Sequence, residues 1–572
     1  MSYNVASTFP SQHESIPFDL PFLVDSVGLV VSPRREVLAV KQQFPSVGLF
    51  FRGQGVVLGS IVIGVGRRSQ HGYHQNYAKE KDRSFHCLDV TLRNSRSKSM
   101  KTPLFLLFTS LFTTSVLATD PPHIVFVMAD DQGWGQTSYN GHPHLKTPHL
   151  DAMAAGGLRF DRFYAGASNC SPSRATVLTG RSNDRTGVQT HGYPLRLQEK
   201  TIAQALSDAG YASGHFGKWH LNGLRGPGVP VLADDSHHPG AFGFEHWLTT
   251  TNFFDMDPLL GRMGEFEKFK GDSSEVVVAE AIKFIKKNAG NRPTFTVIWY
   301  GTPHDPMKAS EEDRAPFAEL PEKYQHQYGE ITAMDRSIGA LRTGLRDLGI
   351  ADNTLFWYTS DNGGLAKFGP ETMGGLRGSK NTMYEGGLRV PGIIEWPARI
   401  PEGRVTDFPA GTIDMFPTIA EIVGLPDDCR LQPQDGISLV PVIDGNQEKR
   451  NGYLPFRHTE RGVLTGDRYK IISQEGEYEL YDLLEDQNET TNLIDAKPEL
   501  AKELIAKYEA FDASLEISVA GKDYPEGRVD PYQPERRMWV EDAAYKPFFH
   551  LLQGRWEYDR YQKELSGEKT KK

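Results

Sequence analysis

Short apolar runs alternate with amphipathic segments along most of the chain after residue 120. Four segments predict strands. Residues 123–128, 294–300 and 354–359 are apolar runs, of which the first is typical of a strand buried on both faces of a sheet, and residues 211–218 form a strand that leads into a polar end. Between them lie three segments with apolar residues at helical spacing, each with a glycine at or near its end: residues 201–209, 275–288 and 322–348. This order of strands and helices predicts an α/β fold with a large, mostly parallel central sheet flanked by helices.

Polar residues directly follow each of the four predicted strands. In chain order they are Asp130 and Asp131, Lys218 and His220, His304, and Asp361 with Asn362. Because ligands bind beyond the C-terminal ends of the strands in open parallel sheets, we expect these side chains to converge. Carboxylate and amide oxygens are hard ligands suited to Ca²⁺ or Mg²⁺, and clustered His and Cys ligands for a structural zinc are lacking. The alternative for each cluster taken alone is a solvated polar turn.

A single cysteine lies within a distinctive stretch at residues 168–181, Ser-Asn-Cys-Ser-Pro-Ser-Arg-Ala-Thr-Val-Leu-Thr-Gly-Arg. Ser171 followed by Pro172 predicts a helix start with the serine as its cap. Cys170 would then lie at the mouth of a helix, where free N–H groups and the helix dipole favour an anion. Arg174 adds a planar, positively charged donor group. The combination indicates chemistry on a tetrahedral oxyanion; the alternative is a buried structural cysteine.

This stretch closely resembles the sulfatase signature, Cys-x-Pro-Ser-Arg followed by Leu-Thr-Gly, here completed by Leu178, Thr179 and Gly180. In that family the cysteine is oxidised after translation to Cα-formylglycine, and the aldehyde hydrate is the nucleophile. The resemblance therefore implies Cα-formylglycine at Cys170. It also implies a maturation partner, the formylglycine-generating enzyme or an equivalent.

The resemblance extends over roughly residues 123–495 and implies a role for each converging residue. The metal ligands would be Asp130, Asp131, Asp361, Asn362 and the formylglycine at Cys170, around one Ca²⁺ ion, with Mg²⁺ as the other candidate. Arg174 and Lys218 would stabilise the hydrate. His220 would remove its second hydroxyl proton, and His304 and Lys380 would hold the sulfate and assist the leaving alcohol.

The implied activity is hydrolysis of a sulfate ester to an alcohol and inorganic sulfate. Long Gly-, Pro- and aromatic-rich loops are predicted over residues 223–272. Together with the export that the N-terminal sequence predicts, described next, these loops favour a sulfated glycan as substrate over a free aryl sulfate. A net charge of −10 argues against a nucleic-acid partner. Two alternatives remain: a phosphatase or phosphodiesterase of the same alkaline-phosphatase-like superfamily, and an inactive protein that binds sulfated glycans.

The N-terminal part differs from the rest of the chain. Residues 1–99 show no sustained periodicity, whereas residues 100–118 combine a basic start, an apolar middle and a Val-x-Ala end, as in a secretory signal peptide. We therefore expect translation to begin at Met100, with residues 1–99 as a non-native extension. The alternative is a membrane anchor, but the apolar run is short and interrupted by Thr and Ser, so no stable membrane span is expected. The mature protein would be exported to a periplasmic, secreted or lysosome-like compartment.

The remaining sequence divides into three parts. Residues 119–450 are expected to form the catalytic domain, and residues 451–523 a small α+β subdomain with an antiparallel sheet and a helix at 498–515. Residues 524–572 form an aromatic and charged tail that is expected to wrap the core, with lining of the pocket as the alternative. The chain contains 3 cysteines, too few for a disulfide scaffold.

Overall fold

The computed structural model describes residues 120–567 and, before them, four strands of two or three residues at 27–29, 52–53, 56–57 and 63–65. Apart from those strands, the expected extension at 1–99 and the expected signal peptide at 100–118 lie outside the described residues.

Strands and helices alternate through the described part of the chain. The strands are β1 (His123–Ala129), β2 (Leu158–Tyr164), β3 (Ala212–Lys218), β4 (Leu224–Arg225), β5 (His246–Thr250), β6 (Leu259–Arg262), β7 (Glu265–Lys268), β8 (Thr294–Trp299), β9 (Thr354–Ser360), β10 (Arg389–Glu395), β11 (Arg404–Thr406), β12 (Ala410–Gly411), β13 (Leu454–His458), β14 (Arg461–Thr465), β15 (Tyr469–Gln474), β16 (Glu477–Asp482) and β17 (Arg537–Met538). The α-helices are α1 (Pro148–Gly156), α2 (Cys170–Thr179), α3 (Ile202–Asp208), α4 (Ser273–Asn288), α5 (Glu311–Arg314), α6 (Glu322–Asp347), α7 (Glu385–Leu388), α8 (Met415–Val423), α9 (Val440–Ile443), α10 (Pro498–Val519), α11 (Phe549–Leu552) and α12 (Gln562–Leu565).

The central sheet has 11 strands in the order β7-β6-β5-β3-β8-β1-β9-β10-β2-β11, with β12 also paired to β2. Its middle, from β5 to β9, is entirely parallel. Antiparallel strands extend it on both sides, β6 and β7 at one edge and β10 next to β9. The predicted fold class, a large and mostly parallel sheet, is confirmed.

Burial on both faces explains the near-continuous apolar sequences of the central strands. In β1, Ile124 and Phe126 pack into the core on one face, whereas Val125 and Val127 pack into the core on the other. The first core is completed by side chains of α2, α3 and α8, and the second by side chains of α1, α4 and α6. Side chains that alternate along a strand point to opposite faces, so a strand covered by helices on both faces needs apolar residues at every position.

Two of the predicted helices begin directly after a residue whose side chain caps the helix N-terminus. Thr201 accepts a hydrogen bond from the backbone of Gln204 in a capping box at the start of α3. Asp272 caps α4 through the backbone N–H groups of Ser274 and Glu275.

The predicted cap of α2 is wrong. The helix begins at Cys170 itself, with Asn169 in the N-cap position. The Ser171 hydroxyl accepts a hydrogen bond from the Gly192 N–H at 2.8 Å instead of capping the helix. Cys170 nevertheless lies in the first turn, where the predicted helix terminus placed it.

The prediction of loops throughout residues 223–272 is also wrong in part. This segment contains β4 to β7, and β5 continues the parallel part of the sheet beside β3. Strands β6 and β7 form an antiparallel hairpin at the sheet edge. These strands are only two to five residues long and lie among glycines and polar residues, so no hydrophobic pattern in the sequence indicated them.

A separate four-stranded antiparallel sheet, β13-β14-β15-β16, follows the central sheet, as predicted. Helix α10 packs on it through a core that includes Leu464, Ile471 and Leu504, and the helix extends past the predicted end at residue 515. On the other side, Lys470 of β15 reaches Glu385 of α7 at 2.9 Å, and both side chains are buried. This ion pair connects the small sheet to the loop region of the central sheet.

The structure describes the C-terminal tail through residue 567. Strand β17 pairs in parallel with β4, and Trp539, Tyr545 and Tyr558 are buried with Leu224 in one apolar cluster. Within residues 120–567, no helix is long and apolar enough to cross a membrane.

Candidate active site

The polar residues that follow the four central strands converge at one edge of the sheet. Strands β3, β8, β1 and β9 are consecutive neighbours, and all four run in the same direction. Lys218 ends β3, His304 follows β8, Asp130 and Asp131 follow β1, and Asp361 and Asn362 follow β9. Helix α2 places Cys170 and Arg174 at the same edge, and the loop after β9 adds Lys380.

Two buried ion pairs lie at the base of the site. Lys218 Nζ lies 2.6 Å from Asp130 Oδ2, and Arg174 Nη2 lies 2.7 Å from Asp361 Oδ2. Arg174 also donates to the backbone carbonyl of Lys218 at 3.1 Å and lies 5.0 Å from the centre of the Trp299 ring. Because none of these four charged side chains is exposed, their positions are fixed before any ligand binds.

Asp131 is the centre of a second group of contacts. Its carboxylate accepts from Asn362 Nδ2 at 2.7 Å, and its Oδ1 lies 2.6 Å from Lys380 Nζ. His304 Nε2 lies 3.7 Å from Asp131 Oδ2. Although burial acts to raise the pKa of Asp131, the charge of Lys380 lowers it, so the carboxylate is ionised. Asp131 therefore links the β1, β8 and β9 ends to the Lys380 loop.

Cys170 lies beside these charges. Its Sγ is 3.6 Å from Lys380 Nζ, and the side chain is buried. Burial raises the pKa of the Cys170 thiol to about 12, although Lys218 and Lys380 act in the opposite direction. A protonated thiol is a weak nucleophile at neutral pH.

A cluster in this group can hold a metal ion. Ligand atoms of Asp130, Asp131, Cys170 and His304 all lie within 4.8 Å of one another. Two oxygens nearby, Asp130 Oδ1 and Asn362 Oδ1, are buried without a hydrogen-bond partner among the described residues. This is the environment expected where a cation completes the coordination of hard oxygen atoms.

The cluster overlaps with the predicted metal set but does not match it fully. His304 is part of it, whereas Asp361 directs one oxygen to Arg174 and accepts the Asp131 N–H at 3.2 Å with the other. Burial, followed by the charge of Asp130, raises the pKa of Asp361 to about 6. Asp361 and Asn362 thus lie directly beside the cluster.

Both histidines of the site are held in the neutral form. Burial and the neighbouring Lys218 lower the pKa of His220 well below its usual value, and both of its ring nitrogens lack a partner among the described residues. His304 stacks on Phe253 with ring centres 4.6 Å apart, and burial and Lys380 lower its pKa to about 3. Its Nδ1 lies against the backbone carbonyl of Asp305, so the neutral ring carries its proton there and Nε2 is an acceptor.

A cavity of about 340 Å³ opens above Cys170, His220, His304 and Lys380. Other side chains of its wall were not predicted from the sequence: His191, Arg225, Asn252, Phe253, Met538 and Arg560. Three of them lie in the 223–272 region, where selectivity was expected, but no spacing singled them out. The tail supplies the last two, so it lines the cavity as well as packing on the core.

Two family models match the chain. The model described as Sulfatase matches residues 122–425, and the model described as N-sulphoglucosamine sulphohydrolase, C-terminal, matches residues 378–511. The first match covers every residue of the candidate site except the pocket wall contributed by the tail.

Several known proteins are similar to this chain. N-acetylgalactosamine-6-sulfatase of Canis lupus familiaris is 33% identical over 396 residues, which are 62% of this chain and 72% of that protein. Arylsulfatase A of Homo sapiens is 32% identical over 378 residues, which are 59% of this chain and 70% of that protein. The crystal structure of Ps i-CgsB superposes with a TM-score of 0.62 at 24% identity, over 68% of this chain and 93% of that chain.

Proposed function

The chain belongs to the sulfatase family of sulfuric ester hydrolases, and on that premise we propose that it is an exported carbohydrate sulfatase that acts through Cα-formylglycine at Cys170. The observation that carries the proposal is the position of Cys170. It occupies the first position of α2, opens into the cavity, and lies next to Lys380 and a cluster of carboxylates. Conversion of this side chain would put an aldehyde where a substrate can reach it.

The residues present fit a Ca²⁺ or Mg²⁺ ion. Asp130, Asp131, Asp361 and Asn362 would hold it together with the converted Cys170, because they provide hard oxygen atoms, two of which lack hydrogen-bond partners in the described part of the chain. The hydrated aldehyde at position 170 would supply the nucleophile for the sulfur atom, and a metal ion held by these residues would offset the negative charge of the sulfate.

The chain's own cations complete this charge balance. Lys218 and Arg174 each form a buried ion pair with one carboxylate of the proposed metal set, and these pairs orient Asp130 and Asp361. Preorganised charges of this kind need no rearrangement when negative charge develops in the transition state.

Proton transfer can be assigned to particular atoms. His220 is neutral, and within residues 120–567 neither of its ring nitrogens has a hydrogen-bond partner, so it can accept a proton at the edge of the cavity. The leaving alcohol needs a proton, and Lys380 Nζ faces the cavity as a donor. His304 Nε2 is an acceptor, so we assign proton donation to Lys380 and assign His304 to positioning beside Asp131.

The proposed substrate is a sulfated carbohydrate. Relatives of the chain include N-acetylgalactosamine-6-sulfatases, and a structure with a TM-score of 0.59 was solved in complex with its substrate, D-glucosamine-2-N,6-O-disulfate. The cavity volume of about 340 Å³ is of the size that a sugar-sized ligand occupies. Export rests on the signal-like sequence at residues 100–118, and conversion of Cys170 requires a maturation enzyme in the host.

Mass spectrometry of the Cys170 peptide, from protein made in its own host, tests the proposal. We expect the mass of formylglycine, together with release of inorganic sulfate from sulfated sugars. An unmodified thiol in protein that still releases sulfate would overturn the assignment of the nucleophile. Converted protein that releases phosphate but no sulfate would overturn the assignment of the reaction.

A further inference from the structure

We propose that Arg225 and Arg560 form a second anion-binding subsite beside the sulfate-binding centre, so that the preferred substrate carries a second anionic group, sulfate or carboxylate, near the ester that is cleaved. The inference rests on the proposed function and narrows its substrate class to carbohydrates with at least two negative charges.

The two arginines come from different parts of the chain and line the same cavity as Cys170 and Lys380. Arg225 ends β4, and its aliphatic stem lies over Gly192, where an added Cβ would approach Arg225 Cγ to 2.5 Å. Its Nε is buried and has no hydrogen-bond partner among residues 120–567. A buried guanidinium nitrogen without a partner is costly unless a ligand satisfies it.

Arg560 approaches from the tail. Its guanidinium lies 4.7 Å from the centre of the Tyr561 ring, and the side chain is exposed to the cavity opening. Within the described chain, neither Arg560 nor Arg225 forms an ion pair with an acidic side chain. The planar guanidinium group matches sulfate and carboxylate in a bidentate manner, so two arginines without acidic partners form a suitable anion site.

The wall between these arginines and the reaction centre is positively charged. His191 lies in the cavity, and after burial the charges of Arg536, Lys380 and Arg225 lower its pKa to about 4. Lys218 acts on the His191 pKa in the same direction, so the charged side chains that affect this pKa most are all cations. A concentration of positive charge in a protein with a net charge of −10 is a local property of this cavity.

The tail holds this wall in place. Strands β17 and β4 are paired in parallel with Met538 opposite Arg225, so the tail is attached directly beside Arg225. The Tyr545 hydroxyl donates to the Pro230 carbonyl at 3.0 Å, and the Tyr558 hydroxyl donates to the Gly228 carbonyl at 2.5 Å. Because Tyr558 is buried, the backbone that carries Arg560 two residues later is held beside the cavity before a ligand arrives.

Half of the subsite lies beyond the family match. The two family models end at residues 425 and 511, so β17, Arg560 and the whole tail lie outside them. The second subsite therefore combines Arg225, which lies within the family-matched residues, with Arg560, which lies outside them.

Direct binding tests the inference without catalysis. Titration calorimetry uses the full-length Cys170→Ala protein and two pairs of sugars that differ by one sulfate: glucosamine 6-sulfate against glucosamine 2-N,6-O-disulfate, and N-acetylgalactosamine 6-sulfate against the 4,6-disulfate. We expect at least one disulfated sugar to bind about tenfold more tightly than its partner, as one charge-assisted contact provides. Arg225→Gln and Arg560→Gln, each added to that protein, should reduce the difference to about twofold.

Lys563→Gln is the matched control, because Lys563 is an exposed cation of the same tail that does not line the cavity. It should keep the tenfold difference. Equal affinities within both pairs, or a preference that survives both arginine substitutions, would overturn the inference. These results are independent of turnover: failure of converted wild-type protein to release sulfate from any ester would overturn the proposed function instead.

Discussion

Lys218 Nζ donates a hydrogen bond to Asp130 Oδ2 at 2.6 Å, and neither side chain is exposed to solvent. The pair joins the end of β3 to the end of β1, across the intervening strand β8. The pair thus connects the two strands that flank β8, the strand that leads to His304, at the base of the site.

Replacement of Lys218 by methionine should destabilise the protein strongly. The change keeps the length of the side chain but leaves the Asp130 carboxylate buried without its main partner, which costs about 3–5 kcal/mol. Urea unfolding of metal-free protein measures the loss. Lys270→Met is the control, since Lys270 pairs with Asp257 on the surface and should contribute less than about 1 kcal/mol. Equal losses in the two variants would contradict the assignment of the Lys218 pair to the core of the site.

Cys170→Ala should reduce sulfate release by at least about a thousandfold, because covalent catalysis at this position has no substitute nearby. The fold should remain, since only one buried sulfur atom is removed. The measurement is kcat with a sulfated sugar, accompanied by a circular dichroism spectrum. Cys429→Ala is the matched control at the other cysteine of the described chain, which is half-buried, and it should keep full activity. Full activity of Cys170→Ala would contradict the proposed nucleophile.

Chelation of divalent metal should abolish activity and lower the thermal unfolding midpoint. The carboxylates of Asp130, Asp131 and Asp361 lie close together, so a cation that binds only the native state stabilises it by an amount that grows with the logarithm of its concentration. At a concentration 100 times the Kd the gain is about 2.7 kcal/mol. Differential scanning calorimetry against added Ca²⁺ or Mg²⁺ measures this shift. Asp131→Asn should remove the shift, and an unchanged shift in that variant would place the ion elsewhere.

The sequence was sufficient to predict the parallel middle of the central sheet and most of the side chains that converge at its edge. A strand that is buried on both faces has an apolar sequence, so such strands can be recognised directly. The residues that follow parallel strands, such as Asp130 and Asp361, must then lie at the same edge of the sheet. The pocket wall leaves no such mark. Arg225 and Arg560 are brought together by the pairing of two-residue strands and by aromatic packing, contacts between distant segments that no local pattern encodes. The cap of α2 was mispredicted for a similar reason, because Ser171 binds the distant Gly192 N–H.

Asp184 provides a test of stability against pH away from the reaction centre. The side chain is almost fully buried and accepts a hydrogen bond from Asn183 at 3.0 Å. Burial raises the pKa of Asp184 to about 7, although Arg457 acts to lower it. In the unfolded chain the same carboxyl group has a pKa of about 3.9. Between these two values the unfolded state has lost its proton while the native state keeps it, so rising pH favours unfolding, and the loss is complete above about pH 7.

Asp184→Asn should therefore stabilise the protein increasingly as the pH rises. Asparagine cannot ionise and keeps an oxygen for the Asn183 contact, so the variant escapes the cost of a buried charge. The gain over wild type in the free energy of unfolding should be about 2–3 kcal/mol larger at pH 8 than at pH 5, since each pKa unit corresponds to about 1.4 kcal/mol. Urea titrations at the two pH values measure it. Asp208→Asn, at an exposed position at the end of α3, should show the same difference from wild type at both. A gain for Asp184→Asn that shrinks as the pH rises would show that the buried carboxylate is stabilised by Arg457 and not destabilised by burial.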